Sequence, residues 1–177
     1  MPQADAPHTH DPSPGFGTAG GRVLWTDADF AAIDPKYRTV HDLLLAKAPT
    51  GRLPGRRDFD PVDVPRLLSF INLVDVLFGG DRLHFRFRLH GTRQTELAGR
   101  DVTGLTVEEA VTPRYVARIN RNMRLACETR RPVYDRFPMP HPERETIDSE
   151  RVYYPLAADG ETVDMLLILN RYPETDL

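Results

Sequence analysis

The sequence predicts an α+β protein: a five-stranded antiparallel sheet with helices inserted after the second strand and an N-terminal helix covering the other sheet face. Three observations predict it. Residues 82–90 alternate, with Arg82, His84, Arg86, Arg88 and His90 on one parity and Leu83, Phe85, Phe87 and Leu89 on the other; a period of two is that of a half-buried strand. The apolar run 73–78 is joined to that strand by Gly79-Gly80-Asp81, and glycine tolerates the positive φ that tight hairpin turns need. Helical spacing then holds until Arg131-Pro132, after which a period of two returns over 133–139, 146–156 and 162–172.

Each element has a local reason. Residues 1–21 hold four Pro, four Gly and almost no apolar bulk, too little to offset ordering entropy, and read as a disordered tail. Within it Gly15-Phe16-Gly17-Thr18-Ala19-Gly20 fits G-x-G-x-x-G, but a dinucleotide loop needs a strand before it and a helix after it. Residues 22–52 read as an N-terminal helical extension. Asp34-Pro35 pairs an N-cap with proline at the first helical position and opens a helix to Lys47, ended by Pro49 and Gly51. Asp60-Pro61 repeats the signal for a short helix through Leu68. Thr92 is expected to cap a helix over 93–98, closed by Gly99. Thr106 and Glu109 fit a capping box. Thr112-Pro113 opens the longest helix, to about Thr129, with Val116, Ile119, Met123, Ala126 and Cys127 inward and Arg114, Arg118 and Arg121 outward. The last strand is apolar on both parities, so it is expected to be central and covered on both faces. The helices after the second strand form one cover, and the helix at 35–47 the other. Which parity of 146–156 and 162–172 faces which cover stays open.

A chain of 177 residues fits one domain with a tail. The net charge of −3 is unevenly spread: residues 82–131 hold eleven Arg and five acidic residues, a balance of +6. A single cysteine, Cys127, excludes an internal disulfide and suits a reducing compartment. No apolar run is long enough to span a membrane, and the N-terminus shows no signal peptide, so a cytoplasmic protein is expected.

The strings Leu53-Pro-Gly-Arg-Arg-Asp-Phe-Asp-Pro61, Leu73-Val-Asp-Val76, Phe85-Arg-Phe-Arg-Leu-His-Gly-Thr92 and Gly99-Arg-Asp-Val-Thr-Gly104 resemble the stand-alone PAS-like family of α-proteobacteria (the PAS_5 group), over roughly residues 36–172. The resemblance implies a PAS-like domain over 53–173, with 174–177 a tail. It implies a small sensory or interaction module with no attached catalytic domain, with strand 82–90 at a sheet edge and strand 162–172 in the middle. Known PAS chemistries find no residues here. Flavin photochemistry needs a cysteine in a polar motif, and Cys127 lacks one. Haem needs an axial histidine, and helix 113–129 has none. His84 and His90 are expected at the surface or in hydrogen bonds.

Other motifs have plainer readings. Gly79-Gly80-Asp81 resembles the signature turn of cyclic-dinucleotide cyclases but lacks its acidic and aromatic parts. With three serines and no nucleophile elbow, acyl transfer has no support. Glu108-Glu109 suits a helix start. The Arg stripe (Arg82, Arg86, Arg88, Arg114, Arg118, Arg121) is read as pairing with Asp135, Asp148, Glu150 and Asp164 or staying solvated, ahead of a nucleic-acid surface. No metal site and no cofactor is expected.

The remaining site is a cavity between the sheet and the long helix. Phe85, Phe87, Leu89, Ile119 and Met123 are its expected apolar lining, and Tyr115, Tyr153 and Asn170 its polar contacts; a packed core is the equal alternative. Trp25, Phe30, Ile33, Tyr37, Val40 and Leu44 offer apolar surface for a homodimer. The leading expectation is a non-enzymatic regulator acting on a signalling protein, with a small ligand as a further input. A small-molecule enzyme on this frame and a nucleic-acid contact module are the alternatives.

Overall fold

The computed structural model describes residues 20–80, 82–141 and 146–173, and of Pro140 the backbone alone. The expected tails and the glycine motif at 15–20 lie outside these residues, apart from Gly20 and Gly21. In chain order the elements are β1 (Arg22–Val23), α1 (Asp27–Ala31), α2 (Pro35–Lys47), β2 (Ile71–Gly79), β3 (Arg82–Leu89), α3 (Thr92–Ala98), α4 (Val107–Ala110), α5 (Pro113–Thr129), β4 (Val133–Arg136), β5 (Met139–Pro140), β6 (Thr146–Ile147), β7 (Glu150–Leu156) and β8 (Met165–Arg171). The main sheet runs β1-β4-β7-β8-β2-β3 with every pair antiparallel, and β5-β6 forms a separate ribbon. Strand β3 lies at the edge and β8 inside, as expected.

Alternate residues of each central strand serve different layers. Ile71, Leu73, Val152, Tyr154, Leu167 and Leu169 meet Phe30, Tyr37, Val40 and Leu44 of α1 and α2. Val74, Phe85, Tyr153, Leu166 and Ile168 meet Ile119, Met123 and Ala126 of α5 on the opposite face. A sheet apolar on both sides needs both covers, and α2 is the second, as the sequence implied. The Tyr154 hydroxyl donates to the Tyr37 carbonyl at 2.7 Å, fixing α2 to the sheet through a buried hydrogen bond.

Several boundaries differ from the sequence expectation. β1 has two residues, too few for any periodicity; it adds a sixth strand, pairing Arg22 with Tyr134 and Val23 with Val133. Its approach requires glycine, because a Cβ on Gly21 would lie 2.8 Å from the Tyr134 carbonyl oxygen. The expected helix over 61–68 is two short 3-10 turns, Pro61–Asp63 and Leu68–Phe70; Pro65 lacks an amide and disfavours helical geometry at Val64. Thr92 is the first residue of α3 and not its cap. Gly91 takes the cap position, its amide held by Asn72 Oδ1 at 2.9 Å. Strand 133–139 stops at Arg136, and strand 146–156 divides into β6 and β7. The bare edge expected of β3 is in part covered: Phe87 donates its amide to the Leu105 carbonyl, and Gly104 donates to the Phe87 carbonyl.

The layer beneath α2 carries a titratable ring. His41 stacks on Phe30 with centroids 4.5 Å apart, and Tyr154 lies 6.5 Å away. Burial holds its imidazole below the ordinary value of 6.5. The unfolded chain therefore binds this proton first as pH falls, and His41 lowers stability progressively from pH 6.5 downward until its folded pKa is passed. Replacing His41 with Phe should leave a smaller loss of urea resistance between about pH 7.5 and about pH 5.5 than the parent shows. Equal losses in both proteins would contradict this placement.

Candidate functional site

Between the sheet and α3, α4 and α5 lies a cavity of about 640 Å³. The structure brings six expected residues, Phe87, Tyr115, Ile119, Met123, Tyr153 and Asn170, to its walls. Phe85 and Leu89 are not among them. Phe85 faces the same layer but is packed solid, with no exposed surface. Leu89 is 44% exposed, and a bulge is the reason. Val74 pairs with Phe87, yet the adjacent Leu73 pairs with Leu89, so Arg88 is an extra residue. One inserted residue reverses the parity beyond it, turning Leu89 away from the Phe87 face.

The floor of the cavity is built in rows across the strands. Asp135, Arg151 and Asn170 are register partners in one row; Val133, Tyr153, Ile168 and Asn72 form the next. In the row beyond, Leu166 pairs with Val74, and Val74 with Phe87. The members of these rows that reach the cavity grade from Arg151 and Asn170, through Tyr153, Ile168 and Asn72, to Phe87.

Asp135 organises the charged end. Arg118 of α5 reaches it through Nε at 2.8 Å and Nη2 at 2.5 Å, the Asn122 amide donates to it at 2.6 Å, and the Arg136 backbone amide at 2.9 Å. Asn122 Oδ1 in turn accepts from the Gly21 amide at 2.7 Å, tying the lead into β1 to α5. This pairing makes the Arg118 guanidinium harder to deprotonate than usual. It also corrects the expected outward position of Arg118. Its spacing matched that of Arg114 and Arg121, and only β4 supplies the carboxylate that draws it in.

Arg151 is the main residue that sequence patterning missed. It is 6% exposed, with its guanidinium carbon 4.2 Å from the centre of the Phe137 ring. The Arg118 guanidinium carbon lies 4.7 Å from the same ring. The one hydrogen bond described for Arg151 runs from Nη2 to Ser149 Oγ, its Nε is buried without an acceptor, and among the described residues it forms no ion pair. Beside it, the Tyr153 hydroxyl has no hydrogen bond of ordinary geometry, although Asn122 and Arg151 stand close. Burial pushes that hydroxyl above the ordinary tyrosine value, so it stays protonated. Gln94, also overlooked, accepts a hydrogen bond from the Tyr172 hydroxyl on its amide oxygen, and its Nε2 is buried without a partner. His90 sits past the end of β3, where parity no longer applies. It lines the cavity and meets Thr95 Oγ1 through Nδ1 at 3.0 Å.

The acids of the lining, Glu108 and Glu109, stand at the exposed α4 rim. Glu108 accepts from Asn120 at 2.8 Å, and Glu109 closes the Thr106 capping box. Arg100, also in the lining, donates to the carbonyls of Glu109 and Ala110. Cys127 packs against the α5 core, and burial pushes its thiol up to about 12, far from thiolate chemistry at neutral pH.

Other expected surfaces are altered by packing. Arg86 and Arg88 pair with Asp75 of β2, which explains the acid inside that apolar strand. Among the six residues expected at a dimer face, Phe30, Tyr37, Val40 and Leu44 are buried within this chain and Ile33 is half-buried against them. The spacing that marked them as apolar surface is that of the second sheet cover. Trp25 alone of the six is well exposed, at 60%, with Arg131 over its ring.

A family model described as PAS domain matches residues 40–169. Among curated proteins, none matches the chain. A solved structure titled as an RNA-binding light-oxygen-voltage receptor is similar at 15% identity with a TM-score of 0.43, over 71% of this chain and 37% of that one. The chain thus spans little more than a third of that receptor chain. Among the described residues, no helix is long and apolar enough to cross a membrane.

Asp135→Asn removes the carboxylate that the charged cluster shares. Arg118 would then lose the carboxylate that it reaches through two nitrogens, and breaking a buried pair costs about 3–5 kcal/mol. Urea unfolding should show a loss of that order; a loss below about 1 kcal/mol, the range of an exposed pair, would contradict it.

Proposed function

Since the chain belongs to the PAS domain family, whose members are sensory and regulatory modules, we propose that its input is a small ligand held between the sheet and α3–α5. The observation that supports this reading is the cavity itself. Its volume of about 640 Å³ falls in the usual range for small-molecule sites, roughly 300–1,000 Å³. Such sites combine an apolar lining with a few placed polar groups, and here Phe87, Ile119, Met123 and Ile168 stand with Arg151, Tyr153 and Gln94.

The output side of this reading is the layer beneath α2. Tyr153 faces the cavity and Tyr154, its chain neighbour, holds α2 through the Tyr37 carbonyl. A shift in the sheet on ligand binding would reach α1 and α2 through that residue pair, and from there a signalling protein or a second copy of the chain, with Trp25 as the exposed anchor. Catalysis has no comparable support, because no nucleophile and base converge among the described residues of the lining. Ion pairing of Arg86, Arg88 and Arg118 within the chain likewise weakens a nucleic-acid reading.

Native and denaturing mass spectrometry of freshly purified protein, with an absorbance spectrum, tests the input. A small molecule present in the native spectrum and lost on denaturation is expected. A bare mass, together with no thermal stabilisation by a small-molecule extract of the expression host, would overturn the ligand-sensor reading.

A further inference from the structure

Among the described residues, each polar atom left unpaired in the cavity has a proton to donate. Arg151 Nε and Gln94 Nε2 are donors with no lone pair to offer, and the Tyr153 hydroxyl is protonated and has no ordinary hydrogen bond. Their residues are 6%, 5% and 1% exposed. A buried donor without an acceptor is destabilising, and a buried charge without a counter-charge more so. Water supplies an acceptor but no charge.

The charge balance points the same way. Asp135 faces Arg151 across the β4–β7 register, yet its oxygens take four hydrogen bonds from Arg118, Asn122 and the Arg136 amide. A carboxylate has about four acceptor sites, so Asp135 has none to spare. Glu108 and Glu109 are held at the exposed rim by Asn120 and Thr106. Among the described residues, the buried Arg151 charge is left with a hydroxyl and an aromatic face to stabilise it.

We propose that the cavity receives a small monocarboxylic acid with an apolar body, its carboxylate on the Arg151 guanidinium beside Tyr153 and its body toward Phe87, Ile119 and Met123. This rests on the reading of the cavity as a ligand site and names the ligand class. Guanidinium and carboxylate match in shape and charge, and such hydrogen bonds are about twice as strong as neutral ones. Arg151 is the buried cation of the described lining and matches a monoanion, while Arg100 stands exposed at the rim, so a second anionic group deep in the cavity would lack a buried partner. The grading of the lining, from Arg151 and Asn170 through Tyr153 to Ile168 and Phe87, suits a molecule with one charged end.

The test uses full-length protein shown by denaturing mass spectrometry to be free of small molecules. Calorimetric titration with benzoate, phenylacetate and hexanoate is compared with their neutral amides. At least one acid should bind, its amide should bind about tenfold or more weakly, and Arg151→Gln should weaken the acid by a similar factor. Tyr153→Phe should weaken it less. In ligand-free protein, Arg151→Met should raise the melting midpoint by about 2–4 °C, because it removes an unpaired buried charge; this readout does not depend on the acids chosen. Amides binding as tightly as acids, acid binding unchanged in Arg151→Gln, no acid binding at all, or a lower melting midpoint in Arg151→Met would each overturn the proposal. A neutral molecule co-purifying with the protein would overturn the carboxylate while leaving the cavity as a ligand site.

Discussion

The hydrogen bonds converging on Asp135 govern both the assembly and the chemistry of this molecule. A carboxylate buried to this depth persists only when its lone pairs are filled. Arg118 and Asn122 fill them from α5, and the Arg136 amide from β4. One residue thereby fixes the long helix to the sheet and, through Asn122, carries the constraint to Gly21 and β1. The same saturation leaves Arg151, its neighbour across the register, without a carboxylate among the described residues. The feature that locks the cavity's charged end also leaves a cation there unanswered.

The second constraint is a sheet whose central strands have no solvent-exposed face. Strands β7 and β8 are buried along almost their whole length, so both covers are obligatory. On the α2 side the layer is closed by aromatic and aliphatic side chains. On the α5 side, α3 and α4 close only part of the sheet, and the unfilled space is the cavity. Consecutive residues such as Tyr153 and Tyr154 belong to the two layers, so a side-chain movement in one is one peptide away from the other.

Most of the architecture was legible in the sequence because it is written in periodicities and caps. The alternation of 82–90, the double-sided apolar run near the C-terminus and the helix starts at Asp34-Pro35 and Thr112-Pro113 are local signals, and each led to the right kind of element. What local patterning could not show depends on partners distant in the chain. β1 is two residues and exists only as a pairing with β4. The Arg88 bulge, which removes Leu89 from the cavity wall, is a relation between two strands. α2 looked like an interface because an apolar helix face does not say whether it meets its own chain or another. For the site, Phe87, Tyr115, Ile119, Met123, Tyr153 and Asn170 were found by residue type and face, but Arg151 was lost among the other arginines. Its burial follows from strand order. One clue was available: β7 is otherwise apolar from Val152 to Leu156, so an arginine at its start stands close to the core.

The account's central claim is that Arg151 carries a buried donor and charge that no other described residue satisfies. The most direct measurement is the Arg151 Nε–H resonance of isotope-labelled protein, identified by its absence in Arg151→Lys and recorded with and without benzoate. The account predicts a fast-exchanging Nε–H in the ligand-free protein that shifts downfield and becomes protected when benzoate binds. An Nε–H already protected in the free protein, or one unmoved when benzoate is bound, would contradict it.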